Sequence, residues 1–358
     1  MRRIPLFLIP LQHPPSRSGR AQVCRWPSHP APANARSFRE VDVISFIGGR
    51  LVSLLLTTLV ASVIVFLLMQ VLPGDPAVLM LGMNADADAI AALHRQLGLD
   101  QPIWIRYLHW IGGFVVGDFG MSLTYSVPIR ELLGPRILVT LPLALLSMAI
   151  SVVVAIAIGV YAAANRGKAG DTVVMGIAQV GVAIPNFWLA LLFILLFALK
   201  LAWFPASGFA GWEGGIWNGL HSLILPALAL GLPLAAILGR VTRSAVIETL
   251  GEDFIRTARA KGLSRSGALW KHAVPNALIP VVTIIGLQFS FLLAGTIIIE
   301  NVFNLPGIGR LVFQAIAQRD LVTVQTLVTL LAASVITINF LVDLVYGYLD
   351  PRLSRGGH

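Results

Sequence analysis

The residues best placed to do chemistry with another molecule lie in one charged segment. It runs Asp253-Phe-Ile-Arg-Thr-Ala-Arg-Ala-Lys-Gly262 and closes at His272-Ala-Val-Pro275. Seven Lys/Arg fall between Arg240 and Lys271, and long apolar runs flank them on both sides. That chemistry is noncovalent: a short cationic helix at a membrane face offers charge and shape to a partner. Asp253 is positioned to cap the helix by accepting from first-turn amides. Arg259 and Lys261 stand in the last turn, against the negative end of the helix dipole. Gly262 suits a left-handed stop. Ser264 is positioned to cap a second short helix through Lys271, after which Pro275 opens the next long helix. The expected result is two short helices with a break, the first lying across the membrane plane as a knob.

Covalent chemistry has no comparable set of residues. A Gly-x4-Gly-Lys-Ser/Thr run is absent, since Gly167-Lys168 lacks both the upstream Gly and the hydroxyl residue. The chain therefore has no phosphate cradle of that kind. No nucleophile–base pair is visible. The seven histidines are scattered, with no His-Glu-x-x-His, and His94 and His109 read as surface residues. The single cysteine, Cys24, can form neither an internal disulfide nor a Cys-rich metal site. Neither cofactor nor metal is expected on this chain. Uncharged polar residues inside apolar runs, Gln179, Asn186 and Gln288, are candidates to line a path, although hydrogen bonding between helices serves them equally well. Glu300 is a fourth candidate, able to face cargo or a partner or to hold its own loop. Asp343 reads as structural.

These residues need elements to carry them, and the composition says what those are. The chain is 56% hydrophobic and only 12% charged, with mean hydropathy +0.82; a soluble protein carries about 25% charged residues. Six stretches lack Asp, Glu, Lys and Arg: Leu51–Leu72, Ile137–Ala164, Thr172–Leu199, Leu220–Gly239, Asn276–Ile299 and Leu321–Val342. A hydrocarbon core of roughly 30 Å takes about 20 helical residues. Unpaired backbone cannot sit in lipid, so the runs are expected as six transmembrane helices of an all-α membrane protein. Pro185 should kink the third. With six spans both termini share one side. Beyond residue 42, that side carries 12 Lys/Arg and the other 7, although the other side has the longer loops. The excess places both termini in the cytoplasm. The net charge of +9 thus reads as topology, and no nucleic-acid partner is expected.

Residues 1–42 stand apart, with seven Arg, seven Pro and no Lys. They are expected to form a disordered arm, or to precede the true start of translation. The organisation that follows is a first helix from about Phe46 with its external segment (43–135), a five-helix core with a cytoplasmic loop at 240–275 (136–352), and a tail (353–358). In the external segment Ala85–Leu97 has helical spacing. Trp104, Tyr107 and Trp110 read as interfacial anchors.

The spacing from Ala258 through Gly262 to Val274 and Pro275 resembles the cytoplasmic loop by which permeases of ATP-binding-cassette importers grip their ATPases. That loop reads Glu-Ala-Ala, three residues, Gly, nine residues, an apolar residue, one more, Leu-Pro. Arg256 and Thr257 replace its Glu and first Ala, as the dipeptide/oligopeptide branch typically shows. Five further segments look like the first permease subunit of that branch, in order. They are Val71–Ala77, Gly117–Ser122, Pro205–Gly208, Glu300–Arg310 and Asp343–Arg352, and together they cover about residues 44–355. The resemblance implies the type I importer permease fold and transport of di- or oligopeptides across the inner membrane of a prokaryote. It makes Arg256, Thr257, Ala258, Arg259, Lys261, Gly262 and Pro275 the ATPase-coupling residues. It implies a second homologous permease, two ATPases holding ATP and Mg, an extracytoplasmic binding protein and surrounding lipid as partners. Nickel chelates, glutathione and oligosaccharides use related permeases.

Two rival functions are weaker. A secondary transporter favours ionisable residues within its spans, which are nearly absent here, and leaves the cationic loop without a role. A membrane enzyme needs a catalytic constellation, and none is visible.

Overall fold

The computed structural model describes residues 35–71, 76–81, 86–96 and 98–349; residues 1–34 of the expected arm, and the tail, lie outside them. Within the described residues the chain is helical, with no strand beyond an isolated bridge between Met121 and Pro128. In order the helices are α1 (Ala35–Val71), α2 (Pro76–Leu81), α3 (Ala87–Gln96), α4 (Ile103–Val116), α5 (Ile129–Ala164), α6 (Ala169–Ala183), α7 (Asn186–Phe193), α8 (Ile216–Gly251), α9 (Asp253–Ala260), α10 (Arg265–Ala268), α11 (Val274–Val302), α12 (Ile308–Ala317) and α13 (Leu321–Leu349). Two π-helical stretches, Ile194–Lys200 and Leu269–Ala273, extend α7 and join α10 to α11.

Five helices are long and apolar enough to cross a bilayer, and a sixth crossing results if α6 and the α7 segment count as one broken span. The break is sharper than the expected kink. Ile184 is extended (φ −83, ψ 124) because the residue before a proline is pushed out of helical geometry. Pro185 has no amide to continue the ladder, and the two halves meet at 103°. Four of the other five spans start earlier than their uncharged cores, and α13 starts with its own at Leu321. α1 begins at Ala35 rather than near Phe46, and α5 at Ile129 rather than Ile137. Charge marks where apolar composition ends; it does not end a helix.

α8 is the central span. Of its most apolar window 72% is buried, against 44% for α5 and 17% for α1. It packs along α5, with α11, α6 and α7 also against it. Two helices without a hydrophobic drive between them in lipid associate through close backbone approach, which small residues permit. At Gly231 a Cβ would stand 2.7 Å from the carbonyl oxygen of Ser147, so α5 and α8 touch backbone to backbone there. α13 packs on α11 and α1, and Arg50 of α1 pairs with Asp343 of α13 at 2.8 Å. That gives Asp343 the structural role expected of it.

α4 is held to α1 by aromatic packing rather than standing free at an interface. Phe66 meets Tyr107 edge-on at 5.3 Å between centroids and Trp110 at 5.8 Å, and the hydroxyls of Ser62 and Tyr107 share a hydrogen bond of 2.8 Å. Of the three aromatics expected as anchors, Trp104 alone is largely exposed, at 64%.

Candidate functional site

The docking loop has the expected break, with different capping. Glu252, extended at φ −69 and ψ 149, occupies the N-cap position of α9, and no side chain caps the helix. Asp253 is therefore the first helical residue, not the cap. Its carboxylate accepts from Arg256 Nη1 at 3.4 Å across an exposed turn. The end of α9 is built as read. Gly262 has φ +91; its amide donates to Arg259 O at 3.0 Å and that of Leu263 to Ala258 O at 3.2 Å. This pair of bonds satisfies the last carbonyls by a left-handed turn, a conformation Gly adopts at least cost.

Ser264 then caps the next helix, its Oγ accepting from Gly267 N at 3.1 Å. That helix is not a second isolated piece ending at Lys271. It runs through the π-helical turn into α11, so Arg265–Val302 is one span of 38 residues. Pro275 directly follows the π-helical turn, where the regular ladder is already interrupted and a missing amide is accommodated.

α9 is anchored by one side chain. Ile255 is 2% exposed and packs with Val246 of α8, Ala268 and Val274. Full burial of an Ile is worth about 1.5–3 kcal/mol, enough to hold a two-turn helix against its neighbours. Every other coupling residue of α9 points outward or half outward: Arg256, Thr257 and Arg259 are exposed and Ala258 is half-buried. Lys261, Gly262, Arg265, Lys271 and Pro275 are exposed as well. Two aromatics that sequence reasoning passed over, Phe254 and Trp270, stand 45% and 57% exposed in this segment. Their signal was available: each is a large apolar residue set among charges, where burial is not expected.

The α5–α6 turn is tied to α8 near the loop. Asp171 is buried and accepts from Arg243 Nε at 2.6 Å and Nη2 at 2.7 Å, while its Oδ2 also accepts from Gly167 N at 3.1 Å. A bidentate guanidinium–carboxylate pair fixes direction as well as distance.

The four path candidates are not brought together. Gln179 of α6 is exposed and accepts from Arg240 Nη1 at 3.0 Å. It lines a cavity of about 360 Å³ with Asp171, Arg240 and Arg243. Asn186 opens α7, half-buried, its amide nitrogen close to Gly295 of α11. Gln288 is buried in α11, and its Nε2 has no hydrogen-bond partner among the described residues. Glu300 is 0% exposed.

Glu300 instead organises the end of the molecule opposite the docking loop. Thr140 Oγ1 of α5 donates to its Oε1 at 2.6 Å, and Arg310 N of α12 donates to its Oε2 at 3.0 Å. The same Thr140 hydroxyl accepts from Ile308 N at 2.8 Å. Two helices and a loop thus converge on one carboxylate. Gly307 and Gly309 pass so close that a Cβ on either would collide with their surroundings. A second buried acid, Asp320, caps α13. It accepts from the hydroxyls of Ser122 and Thr323, from Thr323 N at 3.1 Å and from Thr124 N at 3.2 Å. The Gly117–Ser122 segment is therefore a latch onto the last span. Asp320 itself was not anticipated, because Ser122 lies 198 positions away.

Comparison with known proteins brings the pieces together. Residues 155–355 match the family model described as "Binding-protein-dependent transport system inner membrane component", and residues 43–128 match that of its N-terminal region. The chain is 41% identical over 311 residues to the glutathione transport system permease protein GsiC of Salmonella choleraesuis (strain SC-B67), covering 87% of this chain and 99% of that one. It is 40% identical over the same length to the protein of that name from Escherichia coli (strain K12). A crystal structure of an amino acid ABC transporter with histidines aligns at TM-score 0.44 and 16% identity, covering 63% of this chain and 94% of the other.

Proposed function

Because this chain belongs to the inner-membrane components of binding-protein-dependent transport systems, and is an ABC-importer permease and a multi-pass membrane protein, we propose that it carries short peptides inward, glutathione among them. The observation that carries this reading is the near-complete coverage of the two glutathione permeases, 99% of their length. Glutathione is a tripeptide, so those names fall within the di- and oligopeptide class to which the motif at Arg256–Gly262 points. Nickel chelates and oligosaccharides are the other cargoes to be tested.

In this reading both termini face the cytoplasm, with α6 and the α7 segment counted as one crossing. α9 is then a cationic knob presented to an ATPase, carrying Arg256, Arg259 and Lys261 on its exposed side. Phe254 and Trp270 add apolar area for the same contact. Each complex would hold this chain, a second homologous permease, two ATPases that bind ATP and Mg, and an extracytoplasmic binding protein. Among the path candidates, Gln179 and Asn186 keep accessible surface and could meet cargo in this conformation. Gln288 and Glu300 would need a rearrangement to do so.

The test is uptake into vesicles holding the complete complex. Glutathione and dipeptides should accumulate only with ATP, the ATPases and the binding protein present. Uptake of a nickel chelate or an oligosaccharide in place of peptide would replace the cargo; uptake driven by an ion gradient without ATPase would overturn the mechanism.

A further inference from the structure

A cavity of about 650 Å³ opens at the end of the molecule opposite the docking loop, between α1, α3, α4 and α13. Its volume suits a small molecule rather than water alone. Its polar groups come from separate elements. Gln70 is on α1, Arg95 on α3, Arg106 and His109 on α4, Asp118 in the loop after α4, and Gln325 on α13.

The charges in it are unevenly matched. Asp118 spends one oxygen on Gly120 N at 3.1 Å and pairs with neither arginine among the described residues. Arg95 reaches back to a carbonyl of its own helix, Ala91 O, at 3.3 Å. The half-buried Arg106 side chain has no hydrogen-bond or ion-pair partner among the described residues. Burial lowers its pKa from the usual guanidinium value, the mark of a cation losing water without gaining an anion. The side-chain amides of Gln70 and Gln325, both half-buried, likewise lack partners among the described residues. A guanidinium is a planar fork matched to a carboxylate, and the two amides add donors of the kind that complete such a site.

We propose that this cavity binds the carboxylate of a short peptide on the extracytoplasmic side of the permease, with Arg106 as the principal contact and Arg95 in support. The assignment rests on the peptide-cargo reading above. Asp118 then stands in the same space to receive the peptide's ammonium group.

The experiment is isothermal titration calorimetry on the assembled complex in nanodiscs, without binding protein, using glutathione and its diamide. The acid should bind and the diamide should bind about tenfold more weakly, because amidation removes the charge-assisted pair. Arg106→Gln should weaken the acid about tenfold and leave the diamide unchanged. Arg95→Gln, at an exposed position on α3, should weaken the acid to a smaller degree and keeps the test available if the first variant does not assemble. Equal binding of acid and diamide, absence of binding at millimolar concentration, or an Arg106→Gln complex that binds the acid normally would overturn the assignment. Titration should be the same in discs of phosphatidylcholine and in discs containing phosphatidylglycerol; loss of peptide binding in the latter would give the cavity to a lipid headgroup instead. Vesicle uptake separates the two readings. Uptake without acid-selective binding removes the cavity assignment alone. Acid-selective binding without uptake upholds the cavity and removes the cargo.

Discussion

Thr140 donates a hydrogen bond of 2.6 Å to Glu300 across 160 residues of sequence, with both side chains buried. The same hydroxyl takes the amide proton of Ile308. One side chain thus holds a carboxylate on one helix and the first turn of the next. Thr140→Val keeps the shape and removes both bonds. An unsatisfied buried group costs about 1–3 kcal/mol, so the purified complex should lose several degrees in its melting temperature. Thr140→Ser should restore most of it. A Val variant melting like the parent would show that water replaces the hydroxyl.

Gly309 faces the backbone of α11, where a Cβ would stand 2.5 Å from Ile297 Cα. Gly309→Ala must move the start of α12 and with it the amide of Arg310. Overpacking of this kind costs about 1–3 kcal/mol. Protease sensitivity near Arg310 should rise, measured on the intact complex, while insertion into the membrane persists.

Gly262 has open space around it, yet its φ of +91 excludes most side chains. Gly262→Val therefore tests conformation alone. A left-handed β-branched residue costs on the order of 1–2 kcal/mol, which should tilt α9 and reduce both ATPase co-purification and uptake. Asn tolerates this region better, and Gly262→Asn should retain more of both. Equal behaviour of the two variants would count against the docking role of the turn.

The Asp171–Arg243 pair joins the α5–α6 turn to α8 with side chains 7% and 28% exposed. Asp171→Asn leaves a guanidinium short of its counter-charge. The melting temperature should fall, by less than for a fully buried pair because Arg243 keeps some water. A double-mutant cycle with Arg243→Gln should show coupling between them.

Orientation has its own test. A reporter fused after Arg352 should read cytoplasmic and one inserted near Asp118 external. The reverse pair of results would invert the charge-based topology and move the cavity beside Arg106 to the inside.

Much of this architecture was legible in local sequence. The spans were visible because apolar runs of sufficient length have few other uses, and Gly262 because a left-handed stop has a residue preference. Ser264 was visible for the same reason. Asp253 was misplaced by one residue: Glu252 precedes it, and position rather than side-chain preference decided where α9 began. Pro185 announced a disturbance but not its 103° size. The long-range pairs were out of reach. Asp171 with Arg243, Ser122 with Asp320 and Thr140 with Glu300 are separated by 72, 198 and 160 positions, and no periodicity links them. The path candidates were chosen for polarity inside apolar runs, a property shared by residues that satisfy a helix contact and residues that meet cargo.

The absence of a second break after Ser264 has a mechanical meaning. From Arg265 to Val302 the chain is one rod of 38 residues, about 57 Å long at 1.5 Å per residue. Its lower end packs on the anchor of α9 through Ala268, and its upper end carries Glu300. Stiff through its π-helical turn and Pro280, such a helix would act as a lever. A tilt of about 5° imposed at the docking end would displace the far end by about 5 Å, roughly the pitch of one helical turn. The carboxylate cage around Glu300 would then have to travel with it or come apart.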